Sequence, residues 1–343
     1  MNSSTALATT AQTLVAEGKG ILAADETVRT MTRRFAALEI ESTPDSRRTF
    51  REMLFTTAGI GGFISGVILQ DETIRQRSSK GIPVPDVLSA QGIIPGIKVD
   101  NGAKPLAGSP AETITEGLDG LGDRLDAYGK LGARFAKWRA VIAVNTLLPS
   151  VACIRANAHA LARYAALCQE HGFVPIVEPE VLMGGGTHNI ERCEEVTGQV
   201  LHAVFDELFE QHVCLEGMLL KPNMVIAGDK CQKQATVGEV ARSTLRCLRR
   251  SVPCSVPGIV FLSGGQTHLQ ATTHLNAINQ MSGAKPWRLS FSYGRALQEE
   301  ALEAWHGKEM RLEAGQQAFA HRAGCSSAAV MGNYVASMES EHV

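Results

Sequence analysis

Apolar residues recur along this chain in short runs, separated by longer stretches in which they return every third or fourth position. The runs are bounded by turn-forming residues and have the length of buried strands: Gly20 to Ala24, Phe63 to Leu69, Ile93 to Val99, Phe135 to Val144, Val174 to Val177, Met218 to Leu220, Ile259 to Leu262 and Leu289 to Ser292. Helical patterns lie between them. Thr236-Val237-Gly238-Glu239 matches a capping box and predicts a helix whose apolar side carries Val240, Ala241, Leu245 and Leu248. Ser109-Pro110-Ala111-Glu112 combines the same box with proline at the first helical position and predicts another. Ala156 to Cys168 and Val196 to Phe209 are two further amphipathic stretches.

Strands alternating with helices pair in parallel, and eight such units in 343 residues predict a closed (β/α)8 TIM barrel of the α/β class. The expected layout is a single domain over 1–343, with an N-terminal helix at about 3–18, the barrel at about 19–322 and a C-terminal tail at about 323–343. An open doubly wound sheet is the alternative, but no G-x-G-x-x-G follows the first strand.

Composition narrows the function. A hydrophobic content of 44% with 20% charged residues supports a large core. Lys+Arg 33 against Asp+Glu 35 leaves a net charge of -2, so no bulk field favours nucleic acid or a membrane, and an anionic ligand must be held by local cations. Met1 to Lys19 lacks the basic region and apolar core of a signal peptide, and no apolar run has the roughly eighteen residues of a membrane span. Eight cysteines, all from Cys153 onward and without a C-x-x-C pair, suit a reducing compartment. The expectation is a soluble cytoplasmic protein.

Seven of the eight predicted strands share one feature: a charged or polar residue at or near the carboxyl end. Asp25 and Glu26 follow the first; Lys98 and Asp100 close the third; Lys137 and Arg139 lie within the fourth. Glu178 and Glu180 flank Pro179 after the fifth, Lys221 ends the sixth, Ser263 the seventh, and Arg295 follows the eighth. In a parallel barrel these ends gather at one mouth, where such enzymes place their chemistry. A single lysine at a strand tip can snorkel to solvent; a ring of lysines, arginines and carboxylates compensates itself and makes a polar site. Like charge between Lys221 and Lys137 is expected to depress one pKa and favour an amine nucleophile. An amine beside carboxylates suits Schiff-base formation on a ketone, with Glu178 and Glu180 placed to move the protons.

Ser263-Gly264-Gly265 after a barrel strand offers a hydroxyl and unobstructed backbone N–H groups to an anion, and Arg295 beside Gly294 can clamp the same phosphate. Arg34, Lys98 and the Thr27 and Thr30 hydroxyls suggest a second anion across the mouth, hence a substrate phosphorylated at both ends. The ten histidines form no H-x-H or H-E-x-x-H, so no metal or other cofactor is expected. His268 and His274 are expected to flank a solvated helix, His188 to sit in a glycine-rich loop, and Arg246, Arg249 and Arg250 to cap the exposed end of the Thr236 helix.

The segments G-K-G-I-L-A-A-D-E at 18–26, G-I-K-V-D at 96–100, F-A-K-W-R at 135–139, V-P-I-V-E-P-E at 174–180, L-L-K-P-N-M at 219–224, F-L-S-G-G-Q at 261–266 and F-S-Y-G-R-A-L at 291–297 together resemble class I, metal-independent fructose-1,6-bisphosphate aldolase, from about Thr13 to Arg322. The resemblance implies that Lys221 forms an imine with fructose 1,6-bisphosphate or dihydroxyacetone phosphate. It makes Glu178 the acid/base for that step with Lys137 adjacent, Asp25 the base at the C4 hydroxyl, and Glu180 a supporting carboxylate. It assigns one phosphate to Ser263, Gly264, Gly265 and Arg295, places Lys98, Arg34, Thr27 and Thr30 toward the other, and has Arg139 line the site. It also implies a homotetramer serving glycolysis and gluconeogenesis.

Three features depart from the family pattern. Thr27-Val28-Arg29-Thr30 replaces a serine–threonine–glycine–serine stretch, adding bulk and charge at Arg29. Gly184-Gly185-Gly186-Thr187-His188 replaces an Asp-Gly-Asp-His loop. The chain closes on Glu341-His342-Val343, a short tail of bacterial type, without the terminal tyrosine that many animal members use in proton transfer. Two other readings remain: a Schiff-base barrel enzyme for a different phosphorylated sugar, and a non-catalytic scaffold with an aldolase-like fold.

Overall fold

A computed structural model describes residues 3–340; the expectation about the terminal residues 341–343 lies outside them. Among the described residues ten strands form: β1 (Gly20–Ala23), β2 (Ile64–Leu69), β3 (Ile94–Lys98), β4 (Ala103–Leu106), β5 (Ser109–Thr115), β6 (Phe135–Ile142), β7 (Val174–Val181), β8 (Leu219–Leu220), β9 (Gly258–Phe261) and β10 (Arg288–Tyr293). Eight of them close a barrel in the order β1-β2-β3-β6-β7-β8-β9-β10, every pair parallel. All eight runs expected from the hydrophobic pattern are strands of this barrel.

Two local expectations change. Ser109 to Glu112 is not a helix: it opens β5, which pairs antiparallel with β4 in a hairpin outside the barrel. The β-branched Thr113, Ile114 and Thr115 favour the extended form, and pairing of Lys104 with Ile114 and Pro105 with Thr113 outweighs a local capping pattern. Glu112 serves another helix, accepting from the backbone N and Oγ of Ser150 at 2.7 and 2.6 Å, where Ser150 caps Val151–Glu170. β7 runs four residues beyond Val177, because β6 offers partners as far as Ile142. β8 has ended by then, so the N–H missing at Pro179 leaves no β8 ladder bond unfilled.

Successive residues of a strand alternate between faces. The inward positions nearest the amino end are apolar and form one cluster containing Ile21, Ile68, Phe135, Val174, Ile176, Leu219 and Val260. Leu7, Ala11, Leu14 and Val15, from the N-terminal helix Ser3–Leu14 and the turn after it, complete that cluster and plug the barrel from below. The helix is shorter than the expected 3–18, ending before a turn at Gly18, whose φ is +70°. A second, larger cluster fills the space between strands and outer helices. The last long helix, Leu312–Val330, crosses residue 323, where a tail was expected; Arg322 is buried in it and holds Glu339 by two bonds of 2.6 Å. Among the described residues no helix is long and apolar enough to cross a membrane.

Candidate active site

The inward alternation that is apolar at the amino end becomes charged two residues further up. Ala23 is followed by Asp25, Phe135 by Lys137 and Arg139, Ile176 by Glu178 and Glu180, and Leu219 by Lys221. These groups meet at the carboxyl mouth. Lys137 Nζ lies 2.7 Å from Asp25 Oδ2 and 3.3 Å from Glu178 Oε2; Lys221 Nζ lies 3.4 Å from Glu178 Oε1. Lys137, Glu178 and Lys221 are each 4% exposed.

Glu178 thus stands between the two amines, offsetting the repulsion expected of them. Burial disfavours the Lys137 ammonium, but Asp25, Glu178 and Asp100 outweigh that cost and hold its pKa above the usual lysine value. Burial likewise opposes ionisation of Asp25, yet Lys137 and Lys221 prevail and draw its pKa down to about 2. The cluster is a buried, alternating chain of charges: Asp25, Lys137, Glu178, Lys221.

The rim is built from loops and helix starts. Arg139 contacts Glu180 through Nε. Lys98 Nζ is held by Asp100, through Oδ1 at 2.6 Å and the backbone O at 2.8 Å. Thr27 caps helix Val28–Ala36, accepting from Thr30 N at 3.3 Å, and its hydroxyl lies 3.1 Å from that of Thr30. Arg34, on the same helix, donates to Glu26 Oε1 at 2.6 Å. Arg29 is exposed on its first turn and does not line the cavity.

Across the mouth, Ser263-Gly264-Gly265 follows β9, and Arg295 opens helix Arg295–Trp305. Gly265 is required, and Gly264 sits close against a carboxylate. A Cβ on Gly264 would lie 2.8 Å from Glu180 Oε1; one on Gly265, where φ is +74°, would lie 2.4 Å from Met183 Cβ.

A cavity of about 490 Å³ joins these parts. Every candidate residue named from the sequence lines it except Gly265, which sits behind Gly264. Five lining residues, Ala23, Glu26, Leu262, Ser292 and Gly294, have no role in the site read from the sequence, and two of them carry polar side chains. Glu26 is the partner of Arg34; Ser292 on β10 is buried, with its Oγ unpartnered. Ser292 shares the inward parity of Ser290, so strand periodicity was the signal that could have found it.

His188 lies in the glycine-rich loop as expected, and it is His274 that departs from expectation. His274 is buried against Gln266 rather than flanking a solvated face, and His188 is buried with Nε2 3.4 Å from Met183 Sδ. His268 does pair at the surface of its helix, with Glu300 at 2.9 Å. Gly185 N donates to Asp229 Oδ1 at 2.7 Å, so a carboxylate from a distant segment orders the triple-glycine loop. Among the described residues no three His, Cys, Asp or Glu side chains converge as a metal-holding group.

A buried amine bracketed by carboxylates and rimmed by cations, at the carboxyl end of a (β/α)8 barrel, defines a class: a lyase that works on the carbonyl of an anionic substrate through an amine. Comparison with known proteins narrows it. The family model described as fructose-bisphosphate aldolase class-I matches residues 6–343. A probable fructose-bisphosphate aldolase class 1 from Xanthomonas axonopodis pv. citri is 55% identical over 330 residues, covering 96% of this chain and 98% of that one. Fructose-bisphosphate aldolase B from Gallus gallus is 52% identical, over 97% of this chain and 91% of its own. The solved fructose-bisphosphate aldolase of Plasmodium falciparum, crystallised with TRAP and a small-molecule inhibitor, superposes with a TM-score of 0.96 at 47% identity, covering 98% of this chain and 96% of that one. The chain belongs to the class I fructose-bisphosphate aldolase family, and it catalyses the reversible cleavage of fructose 1,6-bisphosphate to dihydroxyacetone phosphate and glyceraldehyde 3-phosphate by way of a lysine Schiff base.

Proposed function

We propose that Lys221 is the Schiff-base lysine and that the charge chain around it divides the work of the reaction. The supporting observation is the contact of Lys221 Nζ with Glu178 Oε1 at 3.4 Å, inside a cluster where Lys137 already carries the compensating positive charge. The amine of Lys221 attacks the C2 ketone. Glu178 takes a proton from the Lys221 nitrogen and returns it to the carbinolamine hydroxyl, which leaves as water, and an iminium forms. Asp25, kept ionised by Lys137, takes the proton of the C4 hydroxyl. The C3–C4 electron pair then moves into the iminium, leaving an enamine, and glyceraldehyde 3-phosphate departs. Protonation at C3 and hydrolysis release dihydroxyacetone phosphate and return the free amine. Glu180, fixed by Arg139, is the supporting carboxylate.

The substrate is gripped at both ends in this reading. Ser263, Gly264, Gly265 and Arg295 take one phosphate, Lys98, Arg34, Thr27 and Thr30 the other, and Arg139 lines the space between. The enzyme acts in the cytoplasm as a homotetramer with no nucleic-acid or membrane partner, a state that light scattering on the purified chain tests directly.

Borohydride reduction in the presence of dihydroxyacetone phosphate, followed by mass mapping, should place the adduct on Lys221, with full turnover in EDTA. An adduct elsewhere, or chelator-sensitive turnover, reverses the assignment. A large preference for fructose 1,6-bisphosphate over fructose 1-phosphate is expected from two phosphate sites; equal rates favour an aldolase for another phosphorylated sugar.

A further inference from the structure

Gln266 and His274 belong to no part of the mechanism above and do not line the cavity, yet both are buried, 4% and 8% exposed. Gln266 ends the Ser263-Gly264-Gly265 turn, and its backbone N donates to Ser263 O at 3.1 Å, closing that turn. The next residue, Thr267, caps helix His268–Gln280 through a reciprocal bond with Gln270. Two turns into that helix, His274 Nδ1 lies 2.7 Å from Gln266 Oε1. An amide oxygen only accepts, so Nδ1 carries the proton and donates. Burial lowers the His274 pKa to about 4, so the ring is neutral at physiological pH.

The turn is therefore fixed from two sides. In front, Gly264 abuts the Glu180 carboxylate, and Gly265, at a φ of +74°, abuts Met183 with no room for a side chain. Behind, the Gln266–His274 bond ties its last residue to the body of the following helix. A loop whose N–H groups must converge on an anion binds weakly when those groups are free to wander, because ordering them is then charged to binding.

We propose that Gln266 and His274 are positioning residues for the phosphate cradle: their buried hydrogen bond sets the turn that presents the Ser263 hydroxyl and the Gly264 and Gly265 amides to the phosphate. This rests on the reading of Ser263-Gly264-Gly265 as a phosphate site.

The test uses the full-length enzyme, with inorganic phosphate as a competing probe. His274→Ala should raise both the KM for fructose 1,6-bisphosphate and the Ki of phosphate about five- to tenfold, with kcat changed by less than about twofold, the range expected from one buried hydrogen bond. Gln266→Met should do the same, and the double variant should lose no more than either single variant, since both remove one bond. His274→Asn keeps a short donor and should recover part of the loss, which a merely structural role would not require. Unchanged KM and Ki in the folded variants, a loss confined to kcat, or additive losses in the double variant would overturn the proposal. Should His274→Ala fail to fold, Gln266→Met and His274→Asn decide the matter by the same criteria. Ser263→Ala separates the two levels: if it weakens phosphate inhibition while Gln266→Met does not, only the positioning role fails. If Ser263→Ala has no effect on phosphate, the phosphate reading and the positioning role fail together.

Discussion

The two ends of this barrel are built by the same strands and do opposite things. At the amino end, Ile21, Phe135, Val174 and Leu219 point inward and meet Leu7, Ala11 and Leu14 from the N-terminal helix. Two to four residues later, about 7 to 13 Å along each strand, the inward positions are Asp25, Lys137, Glu178 and Lys221. The lower end maximises apolar contact. The upper end concentrates charge that the barrel pays for with its core. Cavity size does not mark which end is functional. A larger cavity of about 690 Å³ opens at the amino end, beside Glu17, Lys285 and Arg288, where Lys285 Nζ is held by the backbone oxygens of Asn279 and Met281. Convergent chemistry distinguishes the mouth, as expected of a fold whose amino face serves stability.

If the ends are specialised in this way, substitutions should separate activity from stability. Lys221→Met should cut kcat by about 10^4-fold or more while the melting temperature holds, since the nucleophile is lost and an apolar chain of similar volume replaces a buried ammonium. Steady-state cleavage and a thermal melt on one sample check both, and near-normal turnover breaks the comparison. Leu14→Ala, in the plug, should do the reverse. A loss of about 3 kcal/mol of unfolding free energy in urea is expected, with kcat per folded molecule unchanged. Gly96→Ala tests the same end by overpacking, because its Cβ would lie 2.3 to 2.5 Å from ring carbons of Phe135; about 2 kcal/mol should be lost.

A smaller effect sharpens the electrostatics of the mouth. The folded-state pKa of Asp25 is lowered from 3.8 to about 2, so its ionised form adds stability that is fully present above about pH 4 and fades as pH falls through 2. The stability difference between the native enzyme and Asp25→Asn should therefore shrink by about 2 kcal/mol over that interval, measured by urea unfolding at stepped pH. The least effect belongs to the outer shell. Arg246, half exposed, donates to Glu194 at 2.6 Å, and Arg246→Ala should cost about 1 kcal/mol and leave kcat untouched.

How far the chain could be read depended on the range of the forces involved. The strand runs were legible because burial on both faces demands continuous apolar sequence, and the helix at Thr236 because its capping box is satisfied locally, with Glu239 and Thr236 bonding each other. The same local pattern at Ser109 misled: the partner that decides its conformation, β4, is reached through a hairpin, and Glu112 is engaged by Ser150, thirty-eight residues away. β7 was read too short for a related reason, since Glu178 and Glu180 resemble loop residues until β6 supplies their pairing. His274 looked like a surface residue because its partner Gln266 lies across two turns of helix. For the site, lysines, arginines and carboxylates at strand ends were visible one by one, but Ser292 was not, because a serine on a strand carries no charge to explain.

The order of apolar and polar positions determined by itself that eight strands alternate with helices and that charge collects where the strands stop. Burial and period are properties of neighbouring residues, so they are written locally. Only the closed barrel decided that Glu178 stands between Lys137 and Lys221, that Asp25 is held ionised, and that the N-terminal helix seals the far end. Those outcomes depend on distances between residues far apart in the chain, and electrostatic and packing energies are set by such distances alone.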